Sequence, residues 1–177
     1  PTDKSRTNRR KRVDDLHSDL NIVFSSSAVD DSTLNQMYNT ADVTINIASN
    51  EGFGLSTIES LSAGTPIIVS NTGGLSEQVD DNQSWGLKVE PKIRNLIGSI
   101  NSPYIYENIC DQVDVGMAIL NMYKKGSSEL TQMGMSGRDY VKANYNQDNM
   151  CNDLYMGIED SINNFIPQKR MSITKVT

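Results

Sequence analysis

Apolar residues in the first half of this chain gather into short β-branched runs separated by polar, helix-spaced stretches. Asn21 to Ser25 reads as a strand, because Ile22, Val23 and Phe24 crowd a run bounded by polar positions. Leu34, Met37 and Tyr38 recur at spacings of three and four and predict an amphipathic helix over 32–39. Val43 to Ile47 is a second strand. Pro66 to Ser70 is a third, a continuous apolar run of the kind covered on both faces of a parallel sheet. A glycine-containing loop, residues 48–55, joins the second strand to a helix. There Ser56-Thr57-Ile58-Glu59 fits a capping box, with Ser56 as N-cap and Glu59 at the third helical position, and Gly64 supplies the stop. Gly73 and Gly74 form a tight turn before a short helical stretch ending at Val79, and Gly86 to Val89 reads as a short edge strand. A helix over about 7–19 precedes them all.

The period changes from residue 108. Ile109, Val113, Met117, Leu120 and Tyr123 line one helical face; Leu130, Met133, Gly137 and Val141 line a second. A third helix carries Cys151, Leu154, Tyr155, Ile158, Ile162 and Phe165. The expected organisation is a basic segment at 1–14, an α/β part at 15–104, C-terminal helices at 105–166 and a frayed tail at 167–177. Strands alternating with helices imply an α/β fold, a parallel sheet with helices on its faces. Three or four short strands make a partial, Rossmann-like sheet, and the opening helix has no strand before it, so further strands are expected upstream.

Composition narrows the classes. Of 177 residues, 37% are apolar, enough for a lean core. No run approaches the ~20 apolar residues that cross a bilayer, and no secretory signal is visible. Membrane spanning, collagen-like repeats and wholesale disorder are excluded; the expected setting is cytoplasmic, with at most a peripheral membrane contact. The net charge of -6 is uneven: residues 1–12 hold six basic side chains and one acid. That run reads as a solvated face or frayed end. A nucleic-acid patch there lacks interleaved aromatics, and the acidic remainder would repel a polyanion. Cys110 and Cys151 lie in helix-like segments and read as buried free thiols, and His17 is the only histidine. A histidine-dependent nucleophile or a histidine-rich metal site is thereby disfavoured. The eight methionines read as core filler.

Candidate chemistry sits in the two glycine loops. Ligands of open parallel sheets bind outside the carboxyl ends of the strands, and loops 48–55 and 71–74 leave two such ends. The first runs straight into a helix N-terminus, where free amides and the helix dipole favour a phosphate. Gly52, Phe53, Gly54 and Leu55 offer backbone donors. Glu51 and Glu59 flank them; a phosphate between carboxylates would be repelled, so the acids are assigned to sugar hydroxyls. A capping role for Glu59 and an exposed loop position for Glu51 are the plain alternatives.

Glu51-Gly-Phe-Gly-Leu-Ser-Thr-Ile-Glu59, then Gly64-Thr-Pro66-Ile-Ile-Val-Ser and Gly73-Gly74, closely resembles the donor-binding half of glycosyltransferase family 4, also called group 1. The segment from Leu34 to Val43 matches as well, and the resemblance covers about residues 15–90. It implies the C-terminal half of a GT-B fold and a retaining, metal-independent transferase. No cofactor is implied beyond the nucleotide-diphosphate sugar as donor substrate. By this resemblance Glu51 is the catalytic-site acid facing the transferred sugar, and Glu59 binds the ribose hydroxyls. The backbone of Gly52, Phe53, Gly54 and Leu55, with Gly73 and Gly74, holds the sugar and diphosphate, and Ser56 or Thr57 assists at the helix start. Ser60 and Ser62 stand where the family more often has small residues such as alanine. The implied partners are a glycan, lipid or protein acceptor and an N-terminal acceptor domain, which this sequence lacks, as it lacks the family's diphosphate-binding Arg and Lys. This chain alone is therefore expected to be inactive. A noncatalytic sugar-nucleotide-binding or scaffolding module is the alternative, opposed by the retention of both acids.

Overall fold

The computed structural model describes residues 22–25 and 27–167. The expected helix over 7–19, the basic run at 4–12, His17, Asn21 and residues 168–177 lie outside them. The chain divides into residues 1–34 and 35–177. In the first unit, Ile22 to Ser25 form no strand. A β-branched run supplies only half of what a strand requires; the other half is a partner ladder for its backbone groups. Helix α1 (Asp31–Thr40) opens at Asp30, whose Oδ1 accepts a bond from the Thr33 amide at 2.7 Å.

The second unit holds the sheet. Strands β1 (Thr44–Asn46), β2 (Ile67–Ser70) and β3 (Gly86–Val89) pair in parallel in the order β1-β2-β3, with Thr44 opposite Ile67 and Ile67 opposite Gly86. The central β2 is buried at all four positions, as its unbroken apolar run predicts. Period two divides it between two clusters. Ile67 and Val69 join Leu61, Leu75, Val79 and Val141; Ile68 joins Val89, Ala118, Met122 and Met133 on the other face. Helix α2 (Leu55–Ala63) connects β1 to β2, and Gly64 ends it in the left-handed conformation, its amide reaching Leu61 and Ser60 carbonyls. Ser60 is fully buried; its hydroxyl lies 2.8 Å from Thr44 Oγ1 and 3.1 Å from the Thr65 carbonyl, so the polar substitution there is satisfied. A 3-10 turn, Gly73–Glu77, follows β2.

Beyond β3 the structure departs from expectation. Residues after Val89 form an antiparallel hairpin, β4 (Pro91–Ser99) and β5 (Ser102–Cys110), so Ile109 and Cys110 are strand residues and the first C-terminal helix begins only at Gln112. Apolar residues lie on both faces of this hairpin, and the helical reading from residue 108 overran the end of β5. Helix α3 (Gln112–Asn144) is capped by Asp111, which accepts from the Val113 amide at 2.7 Å. Non-helical Gly126 (φ 74°, ψ 167°) breaks it, which restores the two helical segments that the spacing predicts. Helix α4 (Gln147–Asn163) is the third, but none of its residues is buried. Cys110 is half-buried, and burial pushes its thiol pKa up; Cys151 is exposed, contrary to the expected burial. Met122 and Met133 fill the core, whereas Met37, Met117, Met135, Met150 and Met156 are exposed, so the methionines are only partly core filler. No helix among the described residues is long and apolar enough to cross a membrane.

Candidate active site

The two glycine loops leave the carboxyl ends of β1 and β2 and pack directly on one another. Gly74 donates its amide to the Glu51 carbonyl at 3.0 Å. A side-chain carbon on Gly74 would sit 2.7 Å from Phe53 Cα, and one on Gly73 (φ +50°) would strike the Glu51 carbonyl. Both glycines are thus required by the close approach of two backbones. Gly73 and Gly74 pack here against the backbone of Glu51, Gly52 and Phe53. Farther down, Ser70 Oγ donates to the Ala48 carbonyl at 2.7 Å and ties the same loops together.

The capping box does not form. Gly54, at φ 90° and ψ 60°, is the N-cap of α2, which places Ser56 second and Glu59 fifth in the helix. The helix has already begun when the chain reaches Ser56, and at the left-handed Gly54 only glycine fits. A Cβ at Gly54 would lie 2.6 Å from Leu75 Cδ2 and 2.8 Å from Thr57 Oγ1. The first intrahelical bonds run from the amides of Thr57 and Ile58 to the Gly54 carbonyl, at 3.2 and 3.4 Å, and no side chain caps the end. The amides of Leu55 and Ser56 precede this ladder and are the orphan donors of the helix end. Gly54 is buried, while Gly52, Phe53, Leu55 and Ser56 around it are exposed. An exposed strip with uncapped amides at a helix N-terminus is competent to hold an anion or a row of hydroxyls.

Beneath this strip lies a buried group that the sequence reading passed over. The fully buried amide of Gln78 donates from Nε2 to the carbonyls of Phe53 and, at 3.2 Å, Gly54, and its Oε1 accepts from the Thr57 hydroxyl. Thr57 Oγ1 also lies 2.6 Å from the Gly54 carbonyl. Trp85 Nε1 donates to the Gln78 carbonyl at 2.7 Å. The Trp85 ring stacks on Tyr140 at 4.4 Å, and Tyr145 meets both Tyr140 and, edge-on at 5.6 Å, Phe53. Burial and the Tyr145 hydroxyl push the Tyr140 pKa up. In sequence Gln78 is one polar residue among several between Leu75 and Val79, and nothing there marks it as buried.

The two acids stand differently. Glu51 is half-buried and holds the second turn through its main-chain carbonyl. Glu59 is exposed, and its Oε2 accepts from the Tyr38 hydroxyl at 3.0 Å. Burial, together with the Glu59 carboxylate, pushes the Tyr38 pKa up to about 12, so the phenol stays a donor to Glu59 at neutral pH. Tyr38 is thus a partner of the site that the helix period of α1 marked only as apolar. Asn108 on β5 fastens the hairpin to both loops: its amide donates to the Ser49 carbonyl at 3.1 Å, and its Nδ2 to Thr72 Oγ1 at 2.6 Å.

The family model for glycosyl transferases group 1 matches residues 6–105, more than half of the chain. A D-inositol 3-phosphate glycosyltransferase of Acidothermus cellulolyticus is 35% identical over 89 residues, which is 49% of this chain and 20% of that protein. Sucrose-phosphate synthase from Thermosynechococcus elongatus superimposes with a TM-score of 0.63 at 25% identity, over 87% of this chain and 35% of that one. HepE of Anabaena, solved in complex with UDP-glucose, superimposes with a TM-score of 0.64 at 12% identity, over 87% of this chain and 36% of its own. The aligned part is about a fifth of the length of the curated relative and about a third of the structural ones. With the family model matched across both glycine loops, the chain belongs to the glycosyl transferases group 1 and carries part of their GT-B architecture.

Proposed function

We propose that this chain is the donor-binding half of a retaining glycosyltransferase that takes a nucleotide-diphosphate sugar and passes the sugar to an acceptor hydroxyl. The orphan amides of Leu55 and Ser56 hold the diphosphate at the positive end of α2, where charge grows as the leaving group departs. Glu59, kept in place by the Tyr38 phenol, accepts from the ribose hydroxyls. Glu51 accepts from hydroxyls of the transferred sugar and touches it beside the anomeric carbon. The bond from that carbon to the diphosphate oxygen stretches through an oxocarbenium-like state. The acceptor oxygen then attacks from the face the diphosphate vacates, so the configuration is kept, and its proton leaves with the diphosphate. Neutralisation by the helix end and by basic side chains supplied from elsewhere in the parent enzyme makes a metal unnecessary. The acceptor site lies outside this chain.

One observation carries this reading: the exposed residues Gly52, Phe53, Leu55 and Ser56, with uncapped amides at Leu55 and Ser56, set between Glu51 and a positioned Glu59. The UDP-glucose bound by HepE, a protein of the same fold, supports it. The test is nucleoside diphosphate release by the intact parent protein, assayed with UDP-, GDP- and ADP-sugars. Glu51→Ala is expected to abolish transfer without lowering the melting temperature. Glu59→Gln is expected to weaken nucleotide affinity about tenfold, the loss of one charge-assisted bond worth ~1.5 kcal/mol. Full transfer by the alanine variant would remove Glu51 from the mechanism.

A further inference from the structure

We infer that Gln78 is a positioning residue for the donor site, resting on the function proposed above: its buried amide sets the direction in which the Leu55 amide points. The chemistry of the position is specific. Two carbonyls, of Phe53 and Gly54, converge on one nitrogen, while a hydroxyl, of Thr57, reaches the neighbouring oxygen. Only a primary amide presents two donors and an acceptor in that arrangement; an ionised carboxylate would turn an acceptor toward two carbonyls, and an aliphatic side chain would leave both unpaired. Gln78 is fully buried, so no water replaces those bonds.

The consequence reaches the exposed strip through the backbone. Each peptide plane is rigid, so fixing the Phe53 carbonyl fixes the amide of Gly54, and fixing the Gly54 carbonyl fixes the amide of Leu55. Gly54 is the residue with the widest conformational freedom in the loop, held at φ 90° with no side chain of its own to pin it. Gln78 supplies that missing restraint from the floor. Its own carbonyl is gripped by Trp85, whose stack on Tyr140 leads through Tyr145 to the Phe53 ring. The loop is therefore held at its main chain and at its one aromatic side chain by the same anchor.

The experiment compares the intact parent protein with Gln78→Leu and Thr57→Val, using calorimetric titration with UDP, GDP and ADP alongside thermal melting. A purely structural role lowers the fraction of molecules able to bind, read as reduced stoichiometry, and leaves the dissociation constant of the remainder unchanged. A positioning role raises the dissociation constant at full stoichiometry. The expected result is about a tenfold weaker affinity in Gln78→Leu and a smaller loss in Thr57→Val, with Thr57→Ser restoring wild-type affinity because the hydroxyl returns. Turnover is expected to show a raised KM for the nucleotide sugar together with a lowered kcat. If Gln78→Leu does not fold, the Thr57 pair decides alone: equal affinities for Val and Ser overturn the proposal. Wild-type affinity in folded Gln78→Leu overturns it as well. Absence of nucleotide binding in the wild-type protein overturns the functional reading itself, a result distinct from either.

Discussion

Two parts of this protein leave the same edge of the parallel sheet, and they are held in different ways. The glycine turns after β1 and β2 are mostly polar or small residues, yet they are pinned from several directions at once, by Gln78, Thr57, Ser70 and the contact between the two backbones. The hairpin after β3 is rich in isoleucine and tyrosine, yet Ile93, Leu96, Ile100, Tyr104 and Tyr106 are exposed. Apolar content alone did not decide burial. What decides it is whether several elements converge on a segment, because burial requires partners for every backbone donor and acceptor. The hairpin satisfies its backbone internally, strand against strand, and is tied to the loops through Asn108.

The sharpest way to break that contrast is a single methyl group on the floor of the site. Gly74→Ala places a carbon 2.7 Å from Phe53 Cα and against the Gly52 carbonyl, both main chain, so neither neighbour yields without moving a loop. A loss of about 3–5 kcal/mol is expected in denaturant unfolding, in the range of severe core disruption. A loss below about 1 kcal/mol would mean that the two turns are not rigidly apposed. Next comes a matched pair of aliphatic deletions. Ile68→Ala, in the fully buried central strand, is expected to cost about 2–5 kcal/mol. Leu96→Ala, on the exposed hairpin, is expected to stay within ±0.5 kcal/mol. Equal costs would show that the hairpin is packed in solution against something with the density of a core.

The same contrast explains what was legible in sequence. The run Ile67–Ser70 announced a central parallel strand because only a doubly covered strand stays apolar at consecutive positions. The string Glu51 to Glu59 with Gly73-Gly74 announced the two loops; Gly73 and Gly74 are there for a backbone approach, Gly54 for its left-handed conformation. The capping box failed because Gly54 enters the left-handed region and starts the helix two residues before Ser56, which leaves the serine inside the first turn. Gln78 and Tyr38 were hidden because their partners lie 24 and 21 residues away in sequence, and no local period encodes such a bond. Residues 91–110 were missed because a hairpin with apolar residues on both faces lacks the clean alternation of a half-buried strand.

Asn108 offers the finest test of the difference. It joins the hairpin to the site through one main-chain and one side-chain bond, and only the second is lost in Asn108→Ala. Thr72 is buried, so its hydroxyl then goes without that donor, at a cost of about 1 kcal/mol. If the hairpin is an autonomous ladder hung on the loops, the effect stays local. Amide exchange is expected to quicken about fivefold at Asn108 and Gly74, which is what 1 kcal/mol permits, while residues 95–106 exchange at their former rates. Their protection comes from pairs such as Asn95 with Glu107 and Leu96 with Tyr106, which the substitution leaves whole. Faster exchange throughout 95–106 would show instead that the ladder depends on the glycine turns for its stability, and the two regions would then open as one cooperative unit.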